Sequence, residues 1–354
     1  MTTPPLEDSR PIIYDPRQPS DASALSDVFA LPSIRIIDDW EAQAREYEQI
    51  LNPASLQNPS VRPEQSLPKE SGVWVYYPWR HCVIHCLPSP EYAHLRASRN
   101  QNLITPAEQE QFRNARIGIA GLNVGNPAAL CIALESGGVS MKFADNDHLA
   151  ASNLNRFRAG LCDIGLNKAI LTARQVYEID PFASIEVFDH GITPENIEQF
   201  LLEPRLDVLV EETDNLELKI RIRELARQHR IPVVMVTGNG ENIIIDIERF
   251  DQNQNLPLLN GYLQQSVIDE IRAGVPSFSK KVQLARDFMG AQHLTSRLRE
   301  SFDHIGVSLA GIPQIAESSF LRGAAVSYAV RQIVTGGHAP SGRFFLKMDT
   351  MLTP

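Results

Sequence analysis

Between Arg116 and Val236 the chain alternates short buried-type strands with helix-type segments, and this alternation limits the fold more than any other feature. Arg116-Ile117-Gly118-Ile119-Ala120 reads as a strand running into Gly121. A turn over 121–126 is followed by a helix over 127–136, ended by Gly137-Gly138. Further strands are expected at 139–144, 184–188, 206–210 and 232–236, and further helices at 168–179, 194–202 and 216–229. Strands and helices in this order predict an α/β fold with a doubly wound, mainly parallel sheet covered on both faces. Ligands of such sheets bind beyond the carboxyl ends of the strands. The residues at those ends here are Gly121 onward, Asp145, Asp214 and Thr237.

The turn Gly121-Leu122-Asn123-Val124-Gly125-Asn126 sits where a dinucleotide fingerprint would carry glycines at its first, third and sixth positions. Asn123 takes the third place and Asn126 the sixth, while Gly125 supplies a glycine at the fifth. A helix start still offers unpaired amides to phosphate, and Gly125, Pro127 and Ala128 leave room. Asn tolerates left-handed dihedrals better than most residues. Asp145, at the end of the second strand, stands where an acid meets ribose hydroxyls; the bland alternative is a loop cap. To this point a nicotinamide or flavin enzyme and an ATP-using adenylating enzyme both remain open.

The chain has 354 residues, 43% of them hydrophobic, which is room for one large domain and a smaller one. No apolar run reaches the roughly 20 residues that span a bilayer. The stretch Met1-Thr2-Thr3-Pro4-Pro5 lacks the basic and apolar regions of a secretory signal, so the cytoplasm is the expected location. A net charge of −10 argues against nonspecific nucleic-acid binding but leaves a focused nucleotide site open. Cys82, Cys86, Cys131 and Cys162 form no Cys-x-x-Cys pair, so neither a disulfide framework nor a zinc site is expected.

The first 70 or so residues are rich in Pro, Ser and Asp, with a helix expected over 40–52 and a loop over 58–72. Strands over 73–77 and 82–87 are placed to pair as a hairpin. Thr105-Pro106-Ala107-Glu108 is a capping box that starts a helix ending near Ala115. We therefore divide the chain into an α+β extension over 1–97 and a main domain over 98–354. The extension is either a substrate- or partner-binding subdomain or an arm without chemistry. Farther on, Ser277, Ser279, Lys280 and Lys281 read as a solvated loop within 274–290. Residues 312–317 lead into a long apolar helix over 320–334.

The block Asp145-Asn146-Asp147-His148-Leu149-Ala150-Ala151-Ser152-Asn153-Leu154-Asn155-Arg156 resembles the signature of the ThiF/MoeB/HesA family, bacterial relatives of ubiquitin-activating enzymes. That signature is Asp-x-Asp, a short spacer, then Ser-Asn-Leu-x-Arg. Asp163-Ile164-Gly165-Leu166-Asn167-Lys168 is similar to the family's Gly-x-x-Lys segment, and Glu212-Thr213-Asp214-Asn215 to its Thr-Asp-Asn strand end. Ser341-Gly342-Arg343-Phe344-Phe345-Leu346 resembles its closing Gly-Arg-hydrophobic strand. Residues 74–105 are also similar to a branch in which a ThiF-like domain is joined to a nitroreductase-like domain, although no nitroreductase segment is evident here.

The resemblance implies ATP-dependent adenylation of a carboxylate, with a Rossmann-like domain holding ATP and Mg²⁺. The carboxylate would be the C-terminus of a small ubiquitin-like protein or peptide, or a small acid. Arg156 and Lys168 would meet the phosphates, Asn153 a phosphate or the acyl group, Asp214 the Mg²⁺ and Asp145 the ribose, with Asp147 shaping the loop. A homodimer is also implied, with no nucleic-acid or membrane partner. Taken singly, these residues have ordinary roles: a surface ion pair for Arg156, a solvated first-turn lysine at 168, a helix cap at Asp214.

The chain departs from the family pattern in three places. The glycine turn is altered. The arginine that family members present from an N-terminal helix of the partner subunit corresponds to Arg99 or, in another register, is replaced by Gln101. The zinc-binding cysteine pairs are missing, and Cys162, although near Arg158 and Lys168 in sequence, reads as an incidental thiol. Two other functions stay open beside adenylation: a nucleotide-binding scaffold without turnover, and a dinucleotide-dependent oxidoreductase.

Overall fold

The computed structural model describes residues 9–58, 67–68, 71–274 and 277–351. In chain order its elements are β1 (Ile12–Tyr14), α1 (Pro19–Phe29), β2 (Arg35–Asp38), α2 (Trp40–Leu51), β3 (Val73–Tyr77), β4 (Cys82–Cys86), α3 (Ser89–Ala97), α4 (Pro106–Asn114), β5 (Arg116–Ala120), α5 (Leu122–Leu134), β6 (Ser140–Ala144) and α6 (Lys168–Ile179). There follow β7 (Ser184–Phe188), α7 (Ile197–Leu202), β8 (Val208–Glu211), α8 (Leu216–Gln228), β9 (Val233–Asn239), β10 (Asn242–Glu248), α9 (Gln265–Arg272), α10 (Phe278–Met289), α11 (Ser296–Phe302), α12 (Ala316–Val334), β11 (Gly342–Leu346) and α13 (Met348–Met351). They gather into two compact units, one over Gln111–Thr172 with Ser184–Pro354, the other up to Glu110 with Ala173–Ala183.

The larger unit is built on a seven-stranded sheet ordered β11-β10-β9-β8-β5-β6-β7. Pairings among β7, β6, β5, β8 and β9 are parallel, and β10 and β11 close one edge antiparallel. This is the doubly wound, mainly parallel sheet expected from the alternation of segments. The order reverses between β5 and β8, and sheets of this kind bind ligands in the crevice outside the carboxyl ends at such a reversal. Ile117, Ile119, Val208, Leu209 and Val210 are fully buried, as continuous apolar runs in a sheet covered on both faces must be.

The carboxyl end of β8 is anchored by charge inside this core. Glu211 accepts from Arg223 Nη1 and from Lys219 Nζ at 3.0 Å, and Arg223 Nε donates to Glu248 Oε2 at 2.7 Å. Glu211 Oε1 also takes Thr213 N at 2.9 Å and Thr213 Oγ1 at 2.6 Å, which folds the turn leading to Asp214. On the edge pair, Arg343 of the Gly-Arg-hydrophobic strand faces Asp246 across the ladder and binds both its oxygens, at 2.8 and 3.0 Å.

Two sequence expectations are corrected in this unit. The segment 121–126 is not a loop: α5 begins at Leu122, so Asn123, Gly125 and Asn126 are helical and Pro127 lies inside the helix. Gly121, at φ 87°, turns the chain so sharply that the helix starts at once, with Gly125 N donating to Gly121 O at 3.1 Å. Residues 277–281 are not a solvated loop either: Ser277 caps α10, accepting from Lys280 N, and α10 buries Leu284, Phe288 and Met289.

The smaller unit carries a four-stranded sheet ordered β1-β3-β4-β2. The expected hairpin is there, β3 pairing antiparallel with β4 from Val73↔Cys86 to Tyr77↔Cys82. Strands β1 and β2 and helix α1 add structure that the Pro-rich composition hides. The second half of α6 completes this unit: Tyr77 Oη donates to Tyr177 O at 3.0 Å, Trp79 Nε1 to Glu178 at 2.6 Å, and Arg96 pairs with Asp180 at 3.0 Å. The Thr105–Glu108 capping box forms as expected, with Thr105 N on Glu108 Oε2 at 2.8 Å and Glu108 N on Thr105 Oγ1 at 3.3 Å. Most of the expected loop 58–72 and the segment Met1-Thr2-Thr3-Pro4-Pro5 lie outside the described residues. Among the described residues no helix is long and apolar enough to cross a membrane.

Candidate functional site

The crevice between β5 and β8 is shaped by a glycine. A Cβ on Gly121 would lie 2.4 Å from Glu212 O and 2.6 Å from Thr213 N, so only glycine lets β5 pass this close to the end of β8. Gly125, one turn into α5, sits over Ile119, whose Cγ2 would be 2.5 Å from a Cβ there. The helix thus packs tightly on its strand while its N-terminal amides face the crevice. Asn126 is buried and donates from Nδ2 to Thr172 Oγ1 at 2.9 Å. Asn123 keeps a buried Oδ1 with no hydrogen-bond partner.

Asp145 follows β6 directly and is buried against this helix start. Its Oδ2 accepts from Leu122 N at 2.6 Å and its Oδ1 from Asp147 N at 2.8 Å. Burial pushes its carboxyl above the usual range, against the pull of those amides and of the Lys168 charge. The carboxylate therefore caps α5 and pins the turn after β6. Asn167 braces the same corner, donating to Asp145 O and Asp189 O at 2.9 Å while its Oδ1 caps α6 through Ala169 N and Ile170 N.

Lys168 opens α6 with a buried side chain, and its Nζ donates to Asp147 Oδ2 at 2.8 Å. The Asp147 side chain is itself 64% exposed, so this buried ammonium is held at the rim by a solvated partner. Asn153 closes the turn before Arg156, its Oδ1 accepting from Ala150 N at 3.1 Å. Arg156 donates from Nη1 to Ser152 O at 3.0 Å and to Asn155 Oδ1 at 2.8 Å. Its buried Nε has no partner, and burial lowers the pKa of its guanidinium. Asp214 stands exposed just beyond β8. The helix cap it might have supplied comes from Asn215 instead, whose side chain accepts from Leu218 N at 3.0 Å.

The structure thus joins Asp145, Asp147, Lys168 and Leu122 N in one cluster at the start of α5. Arg156 and Asn153 lie on a separate turn tied to α12, Asn155 Nδ2 donating to Gln314 O at 2.9 Å and Ser319 Oγ to Arg156 O at 3.0 Å. Among the described residues, the Asp214 side chain has no hydrogen bond or ion pair to either group. Arg99 is an exposed residue of the short turn Ser98–Asn100 in the smaller unit.

Two residues that sequence reasoning missed also lie at this end of the sheet. Glu212 reaches back to β9, accepting from Val236 N at 2.7 Å. Burial raises its carboxyl to about 8, with Glu211 adding to the rise and Lys219, the Val236 amide and Arg322 opposing it. Arg322, on α12, is 3% exposed, and its guanidinium lies on Gly238 of β9, where a Cβ would be 3.3 Å from Nη1. The signal for Arg322 was in the pattern: it falls on the buried stripe of α12, among Ser318, Ser319, Gly323, Val326 and Ser327. A charged residue on such a stripe needs a reason.

The raised Glu212 carboxyl fixes the sign of a pH effect. A buried acid that holds its proton up to about 8, against 4.5 when exposed, stabilises the fold fully below pH 4.5 and loses that contribution as pH rises toward 8. Glu212→Gln keeps the acceptor for Val236 N and removes the titration. Its melting temperature should exceed that of the parent at pH 8 and match it near pH 4.5. An offset of equal size at both pH values would mean that folding does not raise the Glu212 carboxyl.

Residues 97–242 match the ThiF family. An uncharacterized protein of Mycobacterium tuberculosis, MT1398, is 32% identical over 321 residues, covering 91% of this chain and 43% of its own length. A probable molybdopterin-synthase adenylyltransferase of Porphyra purpurea is 29% identical over 109 residues, 30% of this chain and 28% of its own. The chain therefore spans less than half the length of these curated relatives. Among solved structures, the tRNA N6-threonylcarbamoyladenosine dehydratase TcdA of E. coli superposes with a TM-score of 0.50 at 20% identity, covering 69% of this chain and 95% of its own, a likeness of fold.

Proposed function

We propose that this chain, whose residues 97–242 match the ThiF family, binds ATP in the β5–β8 crevice and adenylates a carboxylate. The observation that carries the reading is the start of α5. Gly121 is forced by close approach, and beside it the buried Asp145 lies within electrostatic reach of Lys168, where a ribose and an α-phosphate would lie side by side. The name of the Porphyra purpurea relative, an adenylyltransferase, points the same way.

In the reaction, a carboxylate oxygen attacks the α-phosphorus of ATP. The new bond is acyl O–P, the bond broken joins the α-phosphorus to the bridging oxygen, and pyrophosphate leaves with the electron pair. The protein need only position the reactants and balance charge. The amides at the start of α5 beyond Leu122, whose own N–H is held by Asp145, take the α-phosphate, and the Arg156 guanidinium, with its unpaired Nε, takes phosphate oxygens. Lys168 exchanges Asp147 for phosphate, and the remaining Asn153 donor orients a phosphate or the acyl group. A magnesium ion, when bound, neutralises phosphate charge; Asp214, exposed and not spent on a helix cap, fits a site that takes one or two carboxylates. We further propose that the acid is the C-terminus of a ubiquitin-like protein, a peptide or a small acid, that a homodimer supplies Arg99 to the partner's crevice, and that the protein works in the cytoplasm.

Arg156→Ala and Asp214→Ala should each abolish ATP–pyrophosphate exchange, a loss of about 10³-fold or more for removal of a charge that the transition state needs. Both side chains lie outside the apolar core, so the melting temperature should stay near that of the parent. Exchange at parental rates in both variants rejects the assignment. Stabilisation by ATP with no exchange in the parent, whatever acid is supplied, identifies a nucleotide-binding scaffold instead.

A further inference from the structure

Arg322 is a buried cation without an acid of its own. Its Nε donates to Ser318 O at 3.2 Å and its Nη2 to Gln314 Oε1 at 3.3 Å, both neutral acceptors. Among the described residues no carboxylate is within ion-pair distance of it; Glu212 is felt only at longer range, and Arg156 repels it. A buried guanidinium normally takes a carboxylate or phosphate in a two-pronged contact, because leaving its charge unmatched away from water is costly. A second arginine, Arg156, lies within its electrostatic reach, and the buried Nε of Arg156 has no partner among the described residues. Gln314 joins the two, its backbone oxygen bonded to the Arg156 turn and its side chain to Arg322. Strands lie about 4.8 Å apart, so Gly238 of β9, on which Arg322 rests, is about 14 Å across the sheet from Asp145 on β6, at the far end of the crevice from the ribose position.

We propose that Arg322 and Arg156 form an oxyanion-binding subsite at the β9 end of the crevice, which takes a phosphate or carboxylate group. The two sources available there are the terminal phosphates of a nucleotide and the carboxylate of the acid to be activated. Arg322 binds the group directly and Gln314 positions it. The proposal lies in the crevice of the adenylation reading and rests on it for the identity of the ligands, but its test needs no turnover.

The test is calorimetric titration of the whole chain with inorganic pyrophosphate, with succinate and with adenosine. Parent protein should bind pyrophosphate, succinate or both saturably. Arg322→Gln should weaken that binding about ten- to hundredfold, the effect of one charge-assisted contact, and leave adenosine unchanged. Arg322→Lys should fall between. Loss confined to pyrophosphate identifies the terminal phosphates as the ligand, and loss confined to succinate identifies the carboxylate; either supports the subsite. Gln314→Glu gives a second variant that keeps the fold, since it supplies Arg322 with a carboxylate of its own. It should melt no lower than the parent and bind the anion at least tenfold more weakly. Unchanged affinity in Gln314→Glu, or no binding of either anion to the parent at millimolar concentration, overturns the proposal. ATP binding by the parent, titrated separately, decides the adenylation reading: a chain that binds ATP while both anions ignore Arg322 keeps that reading and loses this one.

Discussion

Gly121→Ala should abolish nucleotide binding and cost the fold more than any other single methyl group added near the crevice. Two effects combine. The residue sits at φ 87° and ψ 106°, a region that side chains with a Cβ avoid at a cost of about 1–3 kcal/mol. The added carbon would also press on Glu212 O at 2.4 Å and Thr213 N at 2.6 Å, which are backbone atoms and cannot swing aside. Relief requires β5 and the end of β8 to separate, and that moves the α5 amides and Asp214 together. A denaturant midpoint read alongside the thermal shift with ATP would check both consequences. Gly125→Ala is the control: its clash is with the Ile119 side chain, a helical alanine is otherwise favourable, and its loss should be the smaller. If Gly121→Ala binds ATP as the parent does, the start of α5 is not where the phosphates lie.

Arg223→Met should destabilise the fold by about 3–5 kcal/mol, the usual penalty for removing one member of a buried ion network. Arg223 is fully buried and serves two fully buried acids, Glu211 and Glu248. They do not share it equally. Against the push of burial, Lys219 and Arg223 together hold the Glu211 carboxyl down to about 2, whereas burial outweighs Arg223 at Glu248 and raises its pKa. In the parent, the stabilisation from Glu211 is complete above pH 4.5 and lost as pH falls from 4.5 toward about 2. Without the arginine, Glu211 is protonated more readily and acid unfolding should begin at higher pH. Chemical denaturation at pH 7 and an acid titration by circular dichroism measure the two effects. A variant within 1 kcal/mol of the parent at pH 7 would falsify the claim that this network anchors β8.

The strands of the main sheet were legible because each is an apolar run bounded by turn residues, and burial on both faces leaves little else for such runs to become. Helix starts were harder. Pro127 resembles the first residue of a helix, where its missing amide costs nothing, yet α5 had already begun at Leu122. The short strands β1 and β2 carry mostly exposed residues, so no alternation marks them. In α10 the polar start hid Leu284, Phe288 and Met289, which recur at helical spacing farther along. Gly121, Asp145, Asp147, Arg156, Lys168 and Asp214 could be picked out as candidates because strand ends and motif spacing locate them. What the spacing could not convey was engagement: that Asp145 caps α5, that Asp147 holds Lys168, and that Glu212 and Arg322, far apart along the chain, come within electrostatic reach. Such contacts depend on how α12 packs across the sheet.

The turn after β8 has a practical consequence. Within four residues the chain passes from the fully buried Glu211 to the exposed Asp214, and the Glu211 carboxylate itself ties that turn through Thr213. In the adenylation reading proposed above Asp214 holds the cation, so cation capture would share one turn with the inner anchor. Loosening that anchor by acid, heat or a distant core substitution should then weaken the proposed cation capture before the molecule visibly melts.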